Sequence, residues 1–264
     1  MKSVAYNMDC VEGMRLLPDG CIDMTITSPP YDDLRTYNGF VFDYKATLDQ
    51  LYRVTKDGGV VCWIVADQTI NGSETGTSFR QALYAKEIGF NLHDTMIWEK
   101  DGFSAVGALV SRYAPVFEFS KGSPKTFNPI KDRRSIWAGR PKTGTIRNDD
   151  GSFRDMSSRG KIQAEMGIRY NVWQINADHT RETDHPAVFP KRLVRDLMVS
   201  WSNEGDTILD PFLGSGTTRL VAYDNGRDFI GYEISEQYFK AEEERFSVHT
   251  SQMSLFGGLD DGLS

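Results

Sequence analysis

Two short stretches of this chain carry residue types that could do chemistry at their spacing. The first is Thr27-Ser28-Pro29-Pro30-Tyr31. An exocyclic amino group on a heteroaromatic ring is a poor nucleophile, because its lone pair is delocalised into the ring. Two acceptors placed around its hydrogens favour a pyramidal nitrogen aimed at an electrophilic methyl. The Ser28 oxygen and the Pro29 carbonyl, held by a stiff turn at Pro29-Pro30, could supply those acceptors. Tyr31 offers a flat face on which a flipped base could stack. In isolation the tetrapeptide also reads as a proline-rich turn.

The second stretch is Asp210-Pro211-Phe212-Leu213-Gly214-Ser215-Gly216-Thr217-Thr218, a strand end, a glycine-rich turn and a helix start. This is the pattern of a nucleotide-type cofactor at the carboxyl end of a parallel sheet. Glycines allow close backbone approach, and helix N-terminal amides sit beside the ligand. The next strand ends in Glu233, an acid at a distance that suits ribose hydroxyls. The third glycine of a dinucleotide fingerprint is absent, since Arg219 stands in its place.

The elements around these stretches alternate strand and helix. Ile22–Thr27 alternates, is rich in β-branched residues and leads into Ser28. A helix is predicted over Ala46–Lys56, closed by Asp57-Gly58-Gly59, and Val60–Val65 reads as a buried parallel strand. Asp67–Ser78 reads as a loop and Phe79–Ile88 as a helix, with strands near Leu92–Trp98 and Pro115–Phe119. After His185-Pro186 come a helix from about Pro190 to Trp201, a strand at Thr207–Asp210, a helix at Gly216–Tyr223 and a strand at Phe229–Glu233. The alternation implies an α/β, doubly wound, mostly parallel sheet. No internal repeat is visible.

Composition narrows the class. The chain has 264 residues, 25% charged and 39% hydrophobic, values of an ordinary soluble globular protein. It has neither a membrane-length apolar run nor a signal-peptide pattern, so a soluble, cytoplasmic protein with no membrane is expected. The three cysteines, Cys10, Cys21 and Cys62, form no paired motif, and the four histidines are scattered, so no metal site and no disulfide framework are expected. Net charge is −7, yet residues 121–169 hold twelve basic and five acidic side chains, a local +7. Residues 121–180 also lose periodicity, which marks an insert with a face built for phosphates. Lys131, Arg133, Arg134, Arg140, Lys142, Arg147, Arg154 and Arg159 are its candidate DNA-binding residues.

Taken together, these segments closely resemble the β-class amino DNA methyltransferases, which act on cytosine N4 or adenine N6. In that family the (D/N/S)-Pro-Pro-(Tyr/Phe) motif comes first, a target-recognition insert follows, and Asp-Pro-Phe-x-Gly-x-Gly-Thr-Thr lies near the C-terminus. The resemblance spans roughly residues 1–245. It implies a Rossmann-like sheet of seven strands, one antiparallel, built from residues 1–120 and 181–246. It implies S-adenosyl-L-methionine as cofactor, and direct methyl transfer to a flipped base with Ser28, Pro29, Pro30 and Tyr31 as the catalytic set. The cofactor set it implies is Asp9, Cys10, Ser28, His185, Pro186, Phe189, Asp210, Phe212, Gly214, Ser215, Gly216, Thr217 and Glu233. Asp9 also reads as a helix cap, and His185-Pro186 as a helix-entry turn. Serine at the first motif position leans towards cytosine N4, with adenine N6 as the alternative.

Three rivals have sequence criteria. Cytosine C5 methylation needs a thiolate, usually from a Pro-Cys pair, and here the cysteines follow Asp9, Gly20 and Val61. RNA or protein-glutamine methylation typically places Asn-Pro-Pro-Tyr after the cofactor motif, the reverse of this order. A DNA-binding relative without catalysis would be expected to have lost one of the two motifs. The partner expected is double-stranded DNA, and a short insert fits a homodimer. Residues 247–264 read as a polar, flexible tail. Within it Gln252, Leu255 and Phe256 resemble a sliding-clamp docking peptide.

Overall fold

The computed structural model describes residues 2–30, 42–104, 111–176 and 189–257. Contact density divides the chain into two units, residues 1–128 with 171–264, and Pro129–Tyr170.

The first unit is built on one eight-stranded sheet. Its strands are β1 (Ser3–Asn7), β2 (Ile22–Thr27), β3 (Thr55–Ile64), β4 (Asn91–Ser104), β5 (Ser111–Ser120), β6 (Val172–Gln174), β7 (Thr207–Asp210) and β8 (Asp228–Glu233). They lie in the order β1-β8-β7-β2-β3-β5-β4-β6. Every neighbouring pair is parallel except those made by β5, which runs against β3 and β4. The helices are α1 (Cys10–Arg15), α2 (Tyr44–Val54), α3 (Thr77–Glu87), α4 (Lys191–Trp201), α5 (Thr217–Asp224) and α6 (Glu236–Gly257).

Strand β3 shows why the sheet is covered on both faces. Val60, Cys62 and Ile64 join one core with Leu193, Leu197 and Val221 of α4 and α5. Val61, Trp63 and the following Val65 join the other with Leu48, Leu51 and Ala82 of α2 and α3. A strand buried on both sides must be apolar throughout, whereas an amphipathic helix needs only one apolar stripe. Burying each such large side chain stabilises the fold by roughly 1.5–3 kcal/mol.

Several expectations are corrected. The sheet has eight strands rather than seven. The additional one, Val172–Gln174, comes from the end of the segment read as insert. The Ile97 N–H donates to the Asn171 carbonyl, and the indole of Trp98 donates to the Ile175 carbonyl at 2.8 Å. Strand β1 has no apolar run, because Val4 and Tyr6 stay exposed at the edge, and its register is set by β8. Helix α2 ends at Val54, before Asp57, and Gly58 with φ +83° lies within β3. Asp67–Ser78 contains a small hairpin, Thr69–Ile70 against Ser73–Glu74. Residues 247–257 are helical, as part of α6, where the polar composition reads as tail. His249 pairs there with Asp224 at 2.5 Å and packs on Tyr223. Gln252 is exposed on this helix, and Leu255 and Phe256 fall where only backbone is described.

The second unit, Pro129–Tyr170, is a two-stranded antiparallel ribbon. Its ladder runs from Arg133–Arg134 with Met166–Gly167, through a Pro141–Ile162 bridge, to Thr145–Arg147 with Phe153–Asp155. Among the described residues no helix is long and apolar enough to cross a membrane.

Candidate active site

The carboxyl ends of β1, β8, β7 and β2 are neighbours, and each carries a candidate residue. Strand β2 ends at Thr27, followed by Ser28, Pro29 and Pro30 in an irregular turn, with Pro29 buried. Strand β7 ends at Asp210. The Thr27 hydroxyl donates to Asp210 Oδ1 at 2.7 Å in a buried contact spanning 183 residues of sequence. The two motifs that lie far apart in the chain therefore meet at the centre of the sheet. The Phe212 N–H donates to the same carboxylate oxygen at 3.1 Å. Burial pushes the Asp210 carboxyl up to about 6, against the pull of the Thr27 hydrogen bond, and the nearby Glu233 adds to the rise.

The glycine-rich loop is held from three sides. The Leu213 N–H donates to the Tyr232 carbonyl at 2.9 Å. Glu233, closing β8, accepts the Gly214 N–H on Oε2 at 2.9 Å and the Ser235 N–H on Oε1 at 2.8 Å. Its carboxyl is raised by burial, and both amides oppose that rise. Arg245 of α6 donates to the Ser215 carbonyl at 2.7 Å. Gly216, at φ +75°, is the N-cap of α5 without a side-chain cap, so the helix opens onto the loop. Ser215 and Thr217 hydroxyls lie 3.2 Å apart, and both residues are buried.

The aromatic Phe212 packs edge-on against Phe42 at 5.3 Å and against Trp63 at 6.4 Å. Phe189, half-buried on the α4 side of the sheet, immediately precedes the helix that begins after Pro190. At the end of β1, the Asn7 side chain donates to the Glu233 carbonyl at 2.7 Å, which sets the start of α1 beside the end of β8. Asp9 caps α1, accepting from the Val11 and Glu12 N–H groups at 2.9 and 3.0 Å. Burial, with Asp9 adding to it, pushes the Cys10 thiol up to about 12, so it stays protonated at neutral pH. A cleft of about 650 Å³ borders the loop from the α6 side, lined by Gly214, Ser215, Lys191, Gln237, Tyr238 and Arg245 among others.

The structure thus places Asp9, Cys10, Ser28, Pro29, Pro30, Asp210, Phe212, Gly214, Ser215, Gly216, Thr217 and Glu233 at or just after the carboxyl ends of β1, β8, β7 and β2. Tyr31, His185 and Pro186 lie outside the described residues. Two contributors are not among the sequence candidates. Thr27 adjoins the motif but reads as ordinary strand, and Arg245 stands 30 residues from Ser215 with no local signal. Thr27 is not set apart locally either, since Thr25 repeats its residue type two positions earlier in the same strand.

In the ribbon, the eight candidate cations separate by their partners. The Arg133 guanidinium lies over Tyr170 and donates to the Ile168 carbonyl at 3.0 Å. Arg154 donates to Asn148 at 3.0 Å, Arg159 is paired with Asp155, and Arg134 is 3.7 Å from Glu165. Among the described residues, no carboxylate pairs with Lys131, Arg140, Lys142 or Arg147. Arg140 lies over the exposed ring of Trp137.

Known proteins place the chain. The family model described as a DNA methylase, N6_N4_Mtase, matches residues 22–244. The chain is 50% identical over 239 residues to the orphan methyltransferase M.BamHII of Bacillus amyloliquefaciens, covering 86% of this chain and 89% of that one. It is 26% identical to the DNA adenine methyltransferase YhdJ of Escherichia coli K12, covering 91% and 81%. The solved structure of the PvuII DNA methyltransferase, cytosine-N4-specific, matches with a TM-score of 0.68 at 20% identity, covering 93% and 86%, which shows the shared fold. With its two motifs joined through Thr27 and Asp210, the chain belongs to the N6/N4 DNA methylase family, the S-adenosylmethionine-dependent amino methyltransferases of DNA.

Proposed function

We propose that this chain methylates cytosine N4 in double-stranded DNA, acting on a base flipped out of the helix, with Ser28 and the Pro29 carbonyl orienting the amino group and Tyr31 stacking on the ring. The single observation that carries the site assignment is the buried Thr27–Asp210 hydrogen bond. It fixes the turn at Ser28 directly beside the glycine-rich loop. In the family the chain resembles, serine at this motif position leans towards cytosine N4, while aspartate or asparagine leans towards adenine N6. Relatives named for adenine and for cytosine-N4 both match the chain, so the base rests on Ser28.

The residues present fit S-adenosylmethionine. Glu233 keeps lone pairs beyond the two amides it accepts and suits ribose hydroxyls. Phe212 and Phe189 offer apolar surface, and Gly214 and Gly216, at φ +52° and +75°, let the loop backbone approach a ligand closely. When bound, the cofactor supplies an electrophilic methyl on sulfonium. The chain's own work is orientation. Ser28 and the Pro29 carbonyl accept from the amino hydrogens, so the nitrogen lone pair points away from the ring plane. The stiff Pro29-Pro30 backbone holds these acceptors without reorganisation.

The test is methylation of mixed-sequence duplex DNA with labelled cofactor, followed by nucleoside mass spectrometry. N4-methylcytosine is expected. N6-methyladenine would remove the base assignment while keeping the site, and no methylated base on any DNA would remove the proposed reaction.

A further inference from the structure

The ribbon contains an internal repeat that its residue identities conceal. Residues 133–147 and 154–168 play equivalent backbone parts, offset by 21 positions. The Gly139 N–H donates to the Gln163 carbonyl, and the Gly160 N–H to the Lys142 carbonyl. The Gln163 N–H donates to Arg140, and the Lys142 N–H to Lys161. The turns match as well: Ala138 to Ser135 and Arg140 to Trp137 on one strand, Arg159 to Met156 and Lys161 to Ser158 on the other. Each turn closes at a positive-φ glycine, Gly139 at +76° and Gly160 at +83°. Exchanging the strands maps the ladder onto itself. The ribbon therefore has a local two-fold axis at the Pro141–Ile162 bridge, perpendicular to its face.

Alternation along the strands puts Arg140, Lys142, Lys161 and Gln163 on one face around that axis. Lys142 stands directly across from Lys161, an arrangement of like charges that destabilises a strand pair. Four of the unit's five acids are engaged elsewhere, Asp132 with Arg169, Asp155 with Arg159, Glu165 with Arg134, and Asp150 with Ser152. Among the described residues, no carboxylate pairs with Arg140, Lys142 or Lys161. An uncompensated cationic cluster with two-fold symmetry fits an anionic partner of the same symmetry. The two antiparallel backbones of duplex DNA are related by such axes, and its major groove admits a two-stranded ribbon.

We propose that this ribbon lies in the major groove with its two-fold axis on an axis of the duplex, so that the exposed Arg140 and Lys161 each hold a phosphate of a different strand. Arg140 and Lys161 exchange under the axis, which gives them equal parts. Lys161 is thereby assigned the same DNA contact as Arg140, although its sequence surroundings differ. The inference rests on the reading of the ribbon as the DNA-contacting unit.

The experiment measures duplex affinity as a function of salt for the full chain and for Arg140→Ala, Lys161→Ala, the double variant, and Lys86→Ala on α3 as control. The probe is a labelled mixed-sequence duplex, with one of its strands alone as a second probe. Melting temperature and S-adenosylmethionine affinity confirm folding. Each single variant is expected to reduce the slope of log affinity against log salt by about 0.9 on duplex, and the double variant by about twice that. On the single strand, where only one backbone is present, the double variant should lose no more than one contact. A double variant with the slope of the parent, or a loss from Arg140→Ala alone, overturns the paired arrangement while DNA contact elsewhere survives. A parent chain without salt-dependent duplex binding overturns both this inference and the reading beneath it.

Discussion

The Thr27 hydroxyl and Asp210 Oδ1 lie 2.7 Å apart in the buried centre of the sheet, where the carboxyl ends of two adjacent parallel strands meet. One hydrogen bond thus couples the turn that would orient the amino group to the loop that would hold the methyl donor. Thr27→Val keeps the shape and removes the donor. It should cost about 1–3 kcal/mol, lift the Asp210 carboxyl beyond about 6, and weaken S-adenosylmethionine binding about tenfold. Calorimetric titration and thermal melting check this, and unchanged values of both would show that the bond couples nothing.

Glu233 acts on the same loop from the neighbouring strand. Glu233→Ala deprives the Gly214 and Ser235 amides of their acceptor, so the loop loses one of its anchors. S-adenosylmethionine affinity should fall at least about tenfold, with Glu233→Gln in between, because the amide oxygen can serve one of the two N–H groups. Equal affinity in all three proteins would exclude Glu233 from the cofactor site.

Gly216 tests the loop's backbone. At φ +75° any side chain is strained, and a Cβ there would lie 2.4 Å from Glu242 Cγ. Glu242 cannot simply yield, since the Arg219 guanidinium donates to both its oxygens at 3.1 and 2.9 Å in a buried pair. Gly216→Ala should therefore cost about 1–3 kcal/mol and lower the melting temperature by several degrees. A variant as stable as the parent would mean that the loop and α6 move apart at little cost.

Glu118 gives the chain a pH dependence away from the site. It lies on β5 beneath Trp201, whose indole donates to it at 3.2 Å. Burial pushes its carboxyl up to about 7, the Trp201 bond opposes the rise, and Asp94 adds to it. The folded value lies above the usual carboxylate range, so this group's stabilising contribution is complete below about 4.5 and is lost as pH rises through about 7. Glu118→Gln should then be more stable than the parent at pH 8, by up to about 3 kcal/mol, and no more stable at pH 4.5. Melting curves across that range check the sign, and a constant difference at all pH values would contradict it.

Several local conformations and the chemistry on offer follow from short stretches of residues. Val60–Val65 reads as a strand because burial on both faces demands an unbroken apolar run, and Ile22–Thr27 because it alternates and is rich in β-branched residues. Ser28–Pro30 and Asp210–Thr218 read as motifs because proline stiffness and glycine freedom are properties of single residues. The excess of cations between Lys121 and Arg169 is likewise visible in composition. Whatever depends on partners distant in the chain is set by the folded arrangement. Edge strands β1 and β6 exist because β8 and β4 offer them hydrogen bonds, not because their own residues demand it. Thr27 became a link between motifs only when Asp210 came to lie opposite, and Arg245 reached the loop only through the placement of α6. The ribbon's two-fold symmetry resides in backbone hydrogen bonds, which different side chains satisfy equally well, so matching residues were not needed to produce it.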